Sequence, residues 1–386
     1  VEPGIVKLVY SPVISRSHIM ADALSQLLLA DVGLSEEVAP WLWQGLPLAL
    51  RADKTMEDMH RQLLPDLDTF LKDAQPELES AAAWAAVEYF KDQAGWDGLG
   101  RFVASLGRAC RQGQCDDNTG LDLVLRSTLG MDATSFALAW KNDWSERLAL
   151  VQNKLDGLLA DRVSAVLAGD EDAFIRTVDA SDLLLVNSER NWFVDLNQNP
   201  LETFELIGHP VTLYPNGDIL ANVTVRFQLA SAEQDQRPEN LQLTMLITQS
   251  GQGYRWAGVA MQTLSEGRLT IRYPEGESLL AEQLLADAGQ MYTNLANRLE
   301  VSSPDPVVLE LYPDRESYRA SIGLSFPNAS WLTAWSGAGT GIKIRMLPVG
   351  SVSDYHPNMV RQLGRQLLYQ LDVENEWLLS GISDYL

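Results

Sequence analysis

Apolar side chains recur at helical spacing through roughly the first 170 residues and at alternate positions after them. "GIVKLVYSP" (4–12) is a short β-rich run. "HIMADALSQLLLADVG" (18–33) then places apolar side chains three and four apart and stops at Gly33, which predicts a helix. "APWLWQGLPLALRA" opens further helix to about residue 75. "PELESAAAWAAVEYFKDQAG" (76–95) is amphipathic, with Pro76 near its start and Gly95 at its end. "WDGLGRFVASLGRAC" and "GLDLVLRSTLG" predict two more helices. The long helical stretch 132–170 crosses a domain junction near 145–150.

Beyond a short helix in "EDAFIRTVDASD", the period changes to two. "LETFELIGHPVTLY", "DILANVTVRFQLA", "LQLTMLITQSG" and "YRWAGVAM" read as strands, separated by turns at 215–218 and 251–253. Helices followed by a run of antiparallel strands define an α+β domain over about 150–262. From 266 the pattern is mixed. "RLTIRYP" is a strand, 278–301 a long helix, 306–323 a strand and helix, 331–348 Gly-rich turns and a strand, and "PNMVRQLGRQLLYQLD" a helix. The whole chain is therefore expected to be a multidomain α+β protein.

Residues 4–46 align with 341–382. Gly4-Ile5 faces Gly341-Ile342, Pro12 faces Pro348, Leu24 faces Leu363, and "WLWQGL" faces "WLLSGI" with Trp41 opposite Trp377 and Gly45 opposite Gly381. Two readings stay open: an internal repeat, or two unrelated strand–helix–Trp units. Under the first, the copies are complementary fragments. The 386 residues from Val1 onward then read as a window on a longer chain.

Charge narrows the function. Asp and Glu number 52 against 29 Lys and Arg, a net charge of −23. That argues against nucleic acid, whose binding needs a basic face, and against anionic membrane surfaces. No apolar run reaches the roughly 18–20 residues of a membrane-spanning helix. Cys110 and Cys115 in "ACRQGQC" either close a small disulfide loop, which would imply export, or stay as free thiols.

The order strand, helix, then "WLLSGISDYL" resembles the gluzincin metallopeptidases, specifically peptidase-MA-like envelope proteins. In that family an H-E-x-x-H helix supplies two zinc ligands and a general base, and a Glu after the Trp-Leu pair is the third ligand. In the second copy these positions hold Arg361, Gln362, Arg365 and Ser380; in the first they hold Asp22, Ala23, Gln26 and Gln44. Arginine stays protonated and only donates, so it cannot ligate zinc. What survives is a scaffold of Trp41, Leu42, Gly45 and Leu46, and of Trp377, Leu378, Gly381 and Tyr385. The resemblance covers about 1–148 and 266–386, including the tail "AAAWAAVEYFKDQAGWDGLGRFVASL".

The middle, "RVSAVLAGDEDAFIRTVD" with "NWFVDLNQNPLETFEL" and strands ending "YRWAGV", is similar to nuclear-transport-factor-two-like domains. That resemblance implies a curved sheet wrapped by helices around a cone-shaped pocket. The expected domains are 1–148 (degenerate peptidase-like, C-terminal part), 149–263 (transport-factor-like) and 264–386 (degenerate peptidase-like, N-terminal part).

The four histidines offer no cluster. His18 stands four residues from Asp22, His209 precedes Pro210 in a strand, His356 sits at a helix start, and His60 stands alone. "SGAGTG" (336–341) lacks the ending of a phosphate loop and leads into a strand. Of eleven Trp, Trp41 and Trp377 are expected in cores, and Trp43 and Trp331 as surface aromatic contacts for a peptide or glycan.

The expectation is a non-catalytic binding or structural protein of the envelope or extracellular space. It would use no cofactor or metal and would bind a protein partner or a larger envelope assembly. Two alternatives remain: a zinc peptidase whose site lies outside these residues or uses other ligands, and a small-molecule binder acting through the middle-domain cone, with Trp192 or Trp256 as reporters.

Overall fold

A computed structural model describes residues 16–35, 39–50, 80–115, 119–214, 216–230, 238–251, 253–326, 333–337, 340–347, 351–373 and 375–385. The expected strand at 4–12, the helix between 51 and 75, His60, Trp331 and Pro348 lie outside these residues. The protein is α+β with several helices and two sheets. Among the described residues no helix is long and apolar enough to cross a membrane.

The chain divides into two compact units, 1–153 with 211–216, and 154–210 with 217–386. The first is helical: α1 (Arg16–Asp31), α2 (Pro40–Leu50), α3 (Ser80–Arg111), α4 (Thr119–Leu129) and the start of α5 (Ala133–Ala168). Its core is aromatic. The Trp41 ring lies 5.9 Å from Phe102 and 5.7 Å from Phe136, and Phe90 lies 4.7 Å from Phe102. Gly45 lets α2 pack directly on α3: a Cβ there would stand 2.2 Å from the Ala83 carbonyl oxygen. Gly95 breaks the helical path of α3 with φ 70°, so the two helices expected on either side of it meet at a kink. Cys110 at the end of α3 is bonded to Cys115, across a turn in which Gly113 takes φ 75°.

The second unit takes the rest of α5, then α6 (Glu171–Arg176) and α7 (Leu183–Gln198). Each of the last two starts at an aspartate: Asp170 accepts from the Ala173 amide, and Asp182 from the Leu184 and Leu185 amides. A four-stranded sheet follows in the order β1 (Leu201–Leu213), β2 (Ile219–Leu229), β3 (Glu239–Ser250), β4 (Gly253–Val259). Pro210 falls in β1, at the sheet edge, where its missing N–H costs least. Along β2 and β3 the buried positions alternate: Val223, Val225 and Phe227, then Leu241, Leu243 and Met245.

A second sheet has the order β5 (Gln262–Glu266), β6 (Leu269–Tyr273), β7 (Val307–Tyr312), β9 (Ile342–Arg345), β8 (Ala334–Trp335). The central three strands are parallel, β6 with β7 and β7 with β9. Parallel neighbours need a crossover, and α8 (Ser278–Arg298) and α9 (Arg315–Ile322) provide the two. One face of this sheet (Leu269, Ile271, Leu309, Leu311, Ile342 and Ile344) joins α8 and α10 (His356–Gln370) in one apolar core. His356 Nε2 lies 2.7 Å from Asp287 Oδ2, joining α10 to α8. The chain then reaches α11 (Glu376–Tyr385).

The expected boundary between 263 and 264 falls inside the second unit, where 264–386 sits with the preceding sheet. Contacts of α9 and the turn after it account for this. Arg319 pairs with Glu239 on β3, Glu316 accepts the Gln242 amide at 2.6 Å, and Asp195 on α7 accepts the Ser325 amide at 3.2 Å.

The two aligned segments differ in packing. Trp41 is 5% exposed, whereas Trp377 is 80% exposed, so the core role expected of Trp377 is not met. Gly381 likewise has open space where a Cβ would go. In the first segment α3 covers α2; among the described residues no helix covers the corresponding face of α11.

Candidate ligand-binding cavity

The strands β6, β7 and β9 each alternate, and their second face is polar. Arg272 pairs in register with Glu310, and Glu310 with Lys343. A cation–anion–cation row therefore crosses the middle of a parallel sheet. Such sheets are ordinarily apolar on both faces, so this row needs an explanation beyond packing. Opposite it stand apolar residues of the four-stranded sheet and α7: Trp192, Phe204, Val225, Leu243, Met245 and Trp256. Between the two surfaces, wholly within the second unit, lies a cavity of about 330 Å³. That is near the lower end of small-molecule sites, roughly 300–1,000 Å³.

The charges at the cavity are paired with care. Arg272 Nη1 donates to Asp182 at 2.6 Å and to Glu310 at 3.2 Å. Burial disfavours its charge, but the Asp182 hydrogen bond and the Glu310 field outweigh this and raise its pKa. The Tyr312 hydroxyl donates to the other Glu310 oxygen at 3.1 Å. Burial, then the Glu310 charge, push that phenol well above its ordinary range. Arg162 on α5 is 4% exposed. It donates to Glu189 at 2.6 Å and Thr177 at 2.9 Å, and its guanidinium carbon lies 4.3 Å from the Phe174 ring centre and 4.4 Å from that of Trp256. Asp179 accepts from the Ser181 amide at 2.9 Å and the Thr248 hydroxyl at 3.1 Å. Burial works against its charge, yet these bonds hold its carboxyl below the usual value.

Lys343 differs from the other two cations. It is 2% exposed, and its ammonium donates to the Ser321 carbonyl rather than to a carboxylate. Burial lowers its pKa, only partly countered by the fields of Glu310 and Glu189.

None of this was singled out in the sequence, although the signal was there. "RLTIRY" and "IKIR" each set two cations, and "VVLELY" one glutamate, on one face of strands whose other face is apolar. Trp192 and Trp256, named as reporters of a cone-shaped pocket, do line the cavity.

The positions aligned with the zinc motif do other work. In α10, Gln362 is buried and accepts the Ser336 hydroxyl at 2.7 Å. One turn on, Gln366 donates to Gly337 and Thr340 carbonyls at 3.3 and 3.4 Å. Together they fasten the Gly-rich loop to the helix. Arg365 donates to the Tyr369 hydroxyl at 3.1 Å, and Arg361 is exposed. Ser380 belongs to α11, and its side chain lies outside the described set. In α1, Asp22 and Ala23 are half-buried and Gln26 is exposed; in α2, Gln44 is half-buried with its side-chain oxygen enclosed. Among the described residues no group of three or more His, Cys, Asp and Glu is placed to hold a metal. Trp43 is half-buried: its ring packs against the helical core and its indole N–H is enclosed. His209 is exposed on β1. Among the described residues no His or Cys lines the cavity, and the groups that do are carboxylates, guanidiniums, hydroxyls and one buried amine.

Comparisons of the chain with protein-family models, with curated proteins and with solved structures found no match.

Proposed function

We propose that the protein is a non-catalytic binding protein of the cell envelope or extracellular space, and that its ligand is a small molecule held in the second unit. The observation that carries this is the cavity of about 330 Å³, with one apolar wall and one charged wall whose groups are already fixed by mutual hydrogen bonds. A preformed site of that kind spends little free energy on ordering when a ligand enters. The non-catalytic part rests on Arg361, Arg365, Ser380, Gln26 and Gln44 at positions where the peptidases resembled carry ligands, and on Ala23 and Gln362 where they carry the general base; Asp22 is the one acid among the eight. The placement outside the cytoplasm rests on the Cys110–Cys115 bond and on the resemblance to envelope proteins.

The test is a screen of small amphipathic molecules against the purified chain, read by thermal stabilisation and tryptophan fluorescence. Binding that disappears when Leu243→Trp fills the cavity supports the proposal. Binding that survives the filling, or peptide hydrolysis together with stoichiometric zinc in the native protein, contradicts it.

A further inference from the structure

Lys343 indicates what chemistry the ligand carries, given the cavity reading above. An ammonium has three N–H donors; among the described residues this one donates to the Ser321 carbonyl and lies 6.0 Å from the centre of the Trp335 ring. It is 2% exposed, so bulk water does not serve the rest. The four carboxylates at the cavity are engaged elsewhere: Glu310 by Arg272 and Tyr312, Asp182 by Arg272 and the start of α7, Glu189 by Arg162, Asp179 by Ser181 and Thr248. Lys343 is thus the one cation lining the cavity with no carboxylate partner among the described residues. A buried ammonium with unused donors is costly, and an anionic acceptor entering the cavity would relieve that cost. Sharing the cavity with it are the apolar side chains Leu243, Met245, Trp192 and Trp256, beside the hydroxyls of Thr248, Ser317 and Ser321.

We propose that the cavity selects a small amphipathic carboxylic acid, with its carboxylate on Lys343 and its apolar body along the four-stranded sheet. The row places a cation at each end and an already neutralised glutamate between, so a cationic head meets repulsion at Lys343, while Asp179, the cavity carboxylate paired with no cation among the described residues, already accepts from Ser181 and Thr248. A neutral hydroxyl accepts one hydrogen bond without the charge.

The experiment uses three probes of one body and different heads, octanoate, octan-1-ol and octylamine, titrated calorimetrically into the full chain near pH 7.5. Octanoate is expected to bind at least about tenfold tighter than octan-1-ol, as a charge-assisted bond would give, and octylamine weakest. Lys343→Met should erase the preference and leave octan-1-ol binding in place. Lys343→Gln serves the same purpose if the methionine variant does not fold, and the wild-type series stands without either. Equal affinities, or a preference that survives both substitutions, overturn the carboxylate assignment while leaving the cavity as the site. No binding of any probe to the wild type overturns the cavity reading and the ligand class together.

Discussion

Removing the Arg162 side chain should destabilise the second unit more than any other single change at the cavity. The guanidinium is almost wholly buried, stacked between Phe174 and Trp256, and paired with a largely buried Glu189. Breaking such a pair by deleting one partner costs about 3–5 kcal/mol, mostly because the other charge is left without compensation. Loss of two desolvated ring contacts acts in the same direction, each worth up to about 2 kcal/mol. Arg162→Ala is therefore expected to cost about 4 kcal/mol or more. In a unit of this size that is a fall in Tm of roughly 8–16 °C, at about 2–4 °C per kcal/mol. Glu189→Ala leaves the arginine unpaired and should cost a similar amount. The informative variant is the double change, Arg162→Met with Glu189→Leu, which restores volume and removes both charges. It should cost clearly less than the two alanine changes added together, by about 2 kcal/mol or more. Urea unfolding followed by far-ultraviolet circular dichroism measures all of these. A loss under about 1 kcal/mol for Arg162→Ala, or a double change that costs as much as the two alanine changes summed, would refute the argument that the pair is a mutually dependent buried unit.

Three further outcomes are expected. Gly45→Ala should destabilise the helical unit by about 1–3 kcal/mol or more, since its Cβ meets the Ala83 carbonyl; Gly381→Ala, in open space on a helix, should be neutral or stabilising by up to about 1 kcal/mol, and urea midpoints compare them. Lys343 has a folded pKa below its ordinary 10.5, so the unfolded chain binds more protons in the window from that lowered value up to 10.5, and stability gains a rising contribution with pH there; the stability advantage of Lys343→Met over wild type should shrink across that window, as pH-dependent urea titrations would show. Reducing Cys110–Cys115, which closes a short loop, should cost the helical unit about 2 kcal/mol or less, read by thermal melts with and without reductant.

Much of the fold was legible because most elements are locally consistent. Alternation in 201–259 marked four strands, and Gly95 marked the break between the helices on either side of it. Other features were not legible for identifiable reasons. The strand Gln262–Glu266 carries little apolar signal because it is an edge strand with mostly exposed residues. The Trp377 expectation failed because a Trp-Leu-x-x-Gly pattern records what a helix can pack against, not whether a partner helix is there. The cavity was hidden for a different reason. Its charged wall comes from three strands between 269 and 345, its apolar wall from 192–256, and Arg162 from a helix before both. No short window contains two of these components. Only the register Arg272–Glu310–Lys343 brings the charges into one row.

Methionine methyl groups offer the most direct test of the central claim. Met245 and Met261 line the cavity, while Met20 is exposed on α1 and Met359 is buried in α10 against the other face of the parallel sheet. In a chain labelled with 13C at the methionine methyls, adding octanoate should shift the Met245 and Met261 resonances saturably and leave those of Met20 and Met359 in place. Saturable shifts at Met20 or Met359 with none at Met245 would contradict the assignment of the cavity as the binding site.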